Sequence, residues 1–113
     1  MRQFLIAITA LIACLSPLHL ASAAEILVRG KIVVTQGHQT PSCRMVQLKR
    51  NDNGMFIWFR IPDAGVESGI LAVTLTALTT GLDVDISYDP AVTSGCGPDP
   101  RISWISLRSA NAQ

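Results

Sequence analysis

The chain lacks most of what marks an enzyme or a nucleic-acid binder. Its 113 residues include three cysteines, two histidines and one tyrosine, and only 15% of them are charged. No G-x-S-x-G, Walker or dinucleotide-binding loop occurs, so the common acyl-transfer and nucleotide chemistries have no sequence foothold. After residue 23 the sole histidine is His38, in a polar loop, which reads as a solvated side chain and cannot by itself assemble a zinc site. Charge of one sign is also missing. Apart from Arg2, eight Lys and Arg stand against eight Asp and Glu, which excludes the basic footprint that phosphate-backbone binding needs. The longest apolar run, Phe4 to Leu15, is about twelve residues, short of the ~20 that span a bilayer as a helix.

What that run does have is the layout of an export signal. Met1-Arg2-Gln3 is a short positive n-region, Ser16-Pro17 breaks the apolar stretch, and Ala21-Ser22-Ala23 supplies the small residues that signal peptidase reads. Cleavage is expected between Ala23 and Ala24, leaving residues 24–113 as one small domain with no integral membrane segment, periplasmic or secreted. A competing reading is a lipobox, Leu11-Ile12-Ala13-Cys14, which would lipidate Cys14 and tether the protein. Its signal would be unusually short, and the residues after Cys14 are Leu-Ser-Pro-Leu-His-Leu rather than a polar tether. An oxidising compartment also decides how Cys43 and Cys96 are read. They are expected to form a disulfide, the alternative being two buried free thiols.

The domain parses into five strand-like runs and one helix. Ile26–Thr35 is rich in β-branched residues with Gly30 in its middle, where a missing side chain marks a bulge or bend. Arg44–Arg50 alternates, with Val46 and Leu48 on one face. Asn51-Asp52-Asn53-Gly54 is a hairpin turn signal, after which Met55–Ile61 pairs back. Ser68 is placed to cap a helix over Ile70–Thr80, whose Leu71, Leu75, Leu78 and Leu82 form an apolar stripe and which Gly81 ends. Val84–Tyr88 is a fourth strand closed by Asp89-Pro90. Arg101–Arg108 is a fifth, and residues 109–113 read as a frayed tail. The order β-β-β-α-β-β predicts a mainly β domain, a five-stranded OB-fold-like barrel with one helix, although other five-stranded arrangements share that order.

Several residues are candidates for function. Strand three is apolar on both faces, Met55, Ile57, Phe59 and Ile61 against Phe56 and Trp58, and a small barrel has one interior. The second face therefore lies under a helix or loop, or packs against another subunit. Strand five repeats the pattern, Ile102 and Trp104 opposed to Ile105 and Leu107, so Phe56, Trp58 and Trp104 are candidate oligomer contacts. Phe56, Trp58 and Arg60 could stack bases, a use that export and zero net charge argue against. Asp83 and Asp85 share one face, as a cation or acid/base pair or, more simply, as a solvated charged edge. No catalytic constellation, metal site or cofactor is indicated.

The segment Ala77–Pro90, ALTTGLDVDISYDP, resembles the B subunits of pertussis-like AB5 toxins, particularly subtilase cytotoxin; Gly30–Gln36 is similar more loosely. The resemblance implies an exported OB-fold that assembles as a ring pentamer with an A-type subunit and binds glycans without catalysis. It puts Tyr88 on a tyrosine that contacts sugar. It also puts Arg29 where the relatives carry the serine that grips sialic acid, and a cysteine pair of the relatives is missing, so a ligand other than sialic acid is implied. The other reading is a monomeric periplasmic inhibitor or immunity-type protein acting through the proline-braced loop Thr93–Pro100.

Overall fold

A computed structural model describes residues 24–39, 43–62, 68–93 and 95–112. The expected export signal and the lipobox reading of Cys14 lie outside these residues. Five strands, β1 (Ile26–His38), β2 (Cys43–Arg50), β3 (Phe56–Pro62), β4 (Asp83–Thr93) and β5 (Pro100–Leu107), close into one barrel in the order β1-β2-β3-β5-β4. All neighbours are antiparallel except β3 and β5, which run parallel through Arg60 and Arg101. The helix α1 (Ser68–Thr80) sits between β3 and β4 in sequence and lies against β1 and β5. This is the OB-fold-like barrel that the element order predicts.

Alternation along the strands builds the core. Val28 and Ile32 of β1, Val46 and Leu48 of β2, Phe59 and Ile61 of β3, Val84 and Ile86 of β4, and Ile102 of β5 all point inward and are buried. Burying side chains of this kind stabilises the barrel by roughly 1.5–3 kcal/mol each. Ala77 joins them from the helix. The disulfide Cys43–Cys96 is formed, with Cα atoms 6.2 Å apart, and ties the start of β2 to the loop between β4 and β5. In that loop Gly95 and Gly97 have φ of 75° and 115°, a backbone that side chains resist.

Gly30 marks a close approach rather than the bulge itself. A Cβ there would sit 2.0 Å from the Lys49 carbonyl oxygen, while the register of β1 against β2 slips two residues on, between Ile32 and Val34. Gly30→Ala must therefore push β1 and β2 apart, at a cost of about 1–3 kcal/mol. A urea titration with the midpoint unchanged would show that the two backbones separate freely.

Four expectations about packing are corrected. β4 does not stop at Asp89-Pro90 but continues to Thr93. Its pairing with β5 is irregular between Tyr88 and Thr93, where a proline has no ladder bond to lose, and Asp89 Oδ1 accepts the Ala91 amide at 2.9 Å. Ile102 and Trp104 do not share a face. Tyr88 pairs with Ile102 and Ser87 with Trp104, so Ser103 is an extra residue that turns Ile102, Ile105 and Leu107 inward and Trp104 outward.

The helix docks through Ile70, Thr74 and Ala77 rather than through its leucines; Leu75 and Leu78 are exposed. Small residues let the helix sit close, and the buried Thr74 hydroxyl donates to the Ile70 carbonyl at 2.8 Å. The tail is ordered as far as Ala112. Ala110–Ala112 forms a 3-10 turn whose Ala112 carbonyl accepts from Arg108 Nη2.

The turn signals hold. Gly54 has φ 70°, and Gly54 N donates to the Arg50 carbonyl at 3.1 Å. Gly81 has φ 68° and its amide closes the helix on Ala77 O at 2.9 Å. Among the described residues no helix is long and apolar enough to cross a membrane.

Candidate functional site

The outer face of β1, β4 and β5 carries two different arrangements, a charge ladder at one end and a recess at the other. The ladder follows from register. Arg29 lies opposite Asp85 and Lys31 opposite Asp83, so opposite charges meet across the β1–β4 pair. Arg29 Nε donates to Asp85 Oδ1 at 2.7 Å and its Nη2 to Oδ2 at 3.2 Å, while Arg108 Nη1 reaches the same Oδ2 at 2.8 Å. Lys31 Nζ donates to Asp83 Oδ1 and to the Gly81 carbonyl, each at 2.8 Å, and Asn51 Nδ2 to Asp83 Oδ2 at 2.7 Å.

These long side chains cover the strand, which is why Asp83, Asp85 and Ser87 are buried although they face outward. The expectation of a solvated sheet edge is therefore corrected: β4 lies between β1 and β5 in a closed barrel and has no free edge there.

The ladder also decides the chemistry of the two aspartates. The hydrogen bond from Arg29 holds Asp85 below the ordinary carboxylate range, against the opposing effect of burial and with help from Arg108. Lys31 does the same for Asp83, again against burial, with Asn51 assisting. A general acid at neutral pH needs the opposite shift, so this pair is a brace.

Both carboxyls bind protons more weakly folded than unfolded. Their stabilisation is therefore full above about pH 5 and is lost as pH falls below about 3.9 and through the depressed folded values. Melting temperature should drop between pH 6 and pH 2.5, and the drop should shrink in an Asp83→Asn/Asp85→Asn double variant. An equal drop in both proteins would place the acid sensitivity elsewhere.

The recess arises where the β4–β5 ladder is irregular. Between Tyr88 and Thr93 on one side and at Ser103 on the other the strands part, leaving a solvent-open cavity of about 300 Å³ lined by Glu25, Asp89, Val92, Arg101, Ile102 and Ser103. Glu25 is held from below, its Oε2 accepting from the buried Ser87 hydroxyl at 2.6 Å. Trp104 follows Ser103, pairs across from Ser87 and is 44% exposed. The cavity thus joins two carboxylates, a guanidinium and a hydroxyl beside an exposed aromatic.

The sequence-predicted site residues fall in different places. Tyr88 turns toward the core, its ring edge-on to Phe59 with centroids 5.0 Å apart and planes at 70°. Arg29 has its fork on Asp85. Phe56 is 55% exposed and Trp58 half-buried on the outer face of β3, with Lys49 Nζ 5.9 Å over the Phe56 ring. From the Arg60–Arg101 register, Trp104 is offset from Trp58 along the parallel strands by about five residues, roughly 17 Å at 3.3 Å per residue. Phe56 and Trp58 therefore form one patch and Trp104 belongs to another.

Arg60 is engaged with the disulfide loop. Its Nε donates to Asp99 Oδ2 at 3.3 Å, and a Cβ on Gly97 would lie 3.4 Å from its Nη2.

Glu25, Asp89 and Arg101 carry no local motif, and only the paired irregularities bring them together. His38 is exposed, with Nε2 2.9 Å from Gln36 Nε2 and 3.1 Å from Met45 Sδ. Among the described residues no group of three or more His, Cys, Asp and Glu is placed to hold a metal ion. No family model, no curated protein and no solved structure matches the chain.

Proposed function

We propose that the protein is an exported, non-enzymatic binding module that recognises a glycan or protein ligand through the outer face of its barrel and self-assembles through its apolar patches. The recess between β4 and β5 is the observation that carries this reading. It is open to solvent, it mixes Glu25, Asp89, Arg101 and Ser103 with the apolar Val92 and Ile102, and the exposed Trp104 follows Ser103 on β5; such sites suit reversible recognition of a hydroxyl-rich ligand. The aspartate pair that could have served as acid and base is tied up in ion pairs.

The separation of Phe56 and Met55 on one side from Leu75 and Leu78 on the helix supplies two exposed apolar surfaces. Two different surfaces per subunit are what a head-to-tail ring requires, the pentamer of the resemblance included, and an A-type subunit would sit on such a ring.

Light scattering of the purified protein together with a glycan array tests this. Binding by an oligomer is the expected result. A strict monomer that gives no signal on the array would overturn the proposal. The monomeric inhibitor reading would then take its place, with the Thr93–Pro100 loop as its contact.

A further inference from the structure

Resting on the reading of a glycan-binding module, we propose that the β4–β5 recess takes a neutral sugar, a hexose or N-acetylhexosamine, stacked on Trp104, and rejects acidic sugars. Three features of the cavity lead there. First, its lining carries Glu25 and Asp89 against Arg101, so its ionised side chains sum to one negative charge. A carboxylate on the ligand would meet like charge, whereas the hydroxyls of a neutral sugar donate to carboxylates.

Second, both acceptors are pre-set. The Ser87 hydroxyl fixes one oxygen of Glu25 at 2.6 Å, and the Ala91 amide fixes Oδ1 of Asp89 at 2.9 Å. Vicinal hydroxyls then meet acceptors that need little further ordering, which preserves affinity.

Third, the aromatic surface beside these acceptors is Trp104. The bulge at Ser103 points Trp104 outward, opposite Ser87 and adjoining the lining residue Ser103 in sequence, whereas Tyr88 turns its ring to Phe59. Sugar C–H faces pack on an exposed indole much as other apolar groups do, while the ring edge leaves the hydroxyls free for the carboxylates. Stacking therefore falls to Trp104, and the role that the resemblance implies for Tyr88 is reduced to packing beneath the site.

Isothermal titration of the purified protein with methyl β-galactoside, N-acetylglucosamine, lactose and sialyllactose tests the assignment, using Trp104→Ala, a Glu25→Gln/Asp89→Asn double variant and Tyr88→Phe. The expected result is binding of at least one neutral sugar, at least tenfold weaker binding of sialyllactose, and a loss of at least tenfold in Trp104→Ala. The double variant is expected to lose neutral-sugar affinity and to narrow the gap to sialyllactose. Tyr88→Phe keeps the ring and should bind as wild type.

Because Trp104 is exposed, its replacement should leave the thermal melt unchanged, which separates a lost contact from a lost fold. Sialyllactose binding as tightly as the neutral sugars, or Trp104→Ala binding normally, would overturn this assignment while leaving the module reading intact. Failure of every sugar at millimolar concentration, with a normal melt, would remove the glycan reading itself.

Discussion

Replacing Cys43 and Cys96 by serine is expected to lower stability by about 4 kcal/mol. The bond closes a loop with a sequence separation of 53, and the chain-entropy relation gives about 4 kcal/mol for a loop of that length. Both half-cystines are buried, so the serines would also place hydroxyls in apolar surroundings. The loop at residues 95–99 is the part of the structure that the bond ties to β2. Two of its glycines carry positive φ, and its ion pair from Arg60 to Asp99 is long at 3.3 Å.

In a domain of this size about 4 kcal/mol corresponds to a fall in melting temperature of roughly 15–30 °C. Melts of the wild type with and without reductant, beside the double variant, check it. A shift of only a few degrees would mean that the barrel closes without the bond.

The second large effect is expected at Phe59. Its ring is fully buried at the centre of the barrel, among Val46, Ile61 and Ile86, and meets the ring of Tyr88 edge-on. Phe59→Ala removes that contact and leaves a cavity inside the closed barrel, at a cost of about 3–5 kcal/mol. Phe59→Leu keeps most of the volume and should cost much less. Denaturant titration should show the midpoint of Phe59→Ala falling steeply with its slope unchanged. Comparable losses in the two variants would argue against a cavity. Since small domains have about 5–15 kcal/mol in total, Phe59→Ala combined with loss of the disulfide should remove a large share of the stability.

The strand order and the disulfide are legible in the sequence because each rests on a local signal or on simple pairing. Asn51–Gly54 and Gly81 end their elements through positive φ, and Val46 with Leu48 and Phe59 with Ile61 alternate as half-buried strands must. What misleads is any place where an element departs from its period. One extra residue at Ser103 reverses the facing of Trp104 relative to Ile102, and nothing in RISWISL announces it. Pro90 reads as a stop, yet a strand tolerates proline where the ladder is already broken.

The helix misleads for a different reason. Leucines dominate its apolar stripe, but close docking selects the small Ala77 and Thr74, and the large residues are pushed to the flanks. The recess is the least legible feature. Its acceptors come from Glu25, just before β1, and from Asp89 in the irregular stretch of β4, and Trp104 adjoins the lining only through Ser103, so their meeting depends on two irregularities in one ladder. Trp104 is visible in the sequence as an unexplained apolar residue; its neighbours are not.

The buried charge ladder shows how composition hides its use. Eight positive and eight negative residues after residue 23 read as a neutral, unremarkable surface. Four of those charges, Arg29, Lys31, Asp83 and Asp85, instead face one another in register across β1 and β4, and Arg108 adds a fifth. Arg108 Nε is left buried without a partner, so the ladder is not fully satisfied, and removing Asp85 would leave two guanidiniums facing one another. Arg29 is half exposed, which keeps its share of the stabilisation small.

Backbone chemical-shift mapping with the best-binding neutral sugar tests the proposed site most directly. The shifts are predicted to centre on Glu25, Ser87, Asp89 and residues 101–104, with the indole N–H of Trp104 among the largest. Shifts centred instead on the Phe56 and Trp58 face would contradict the β4–β5 recess as the place where this barrel binds.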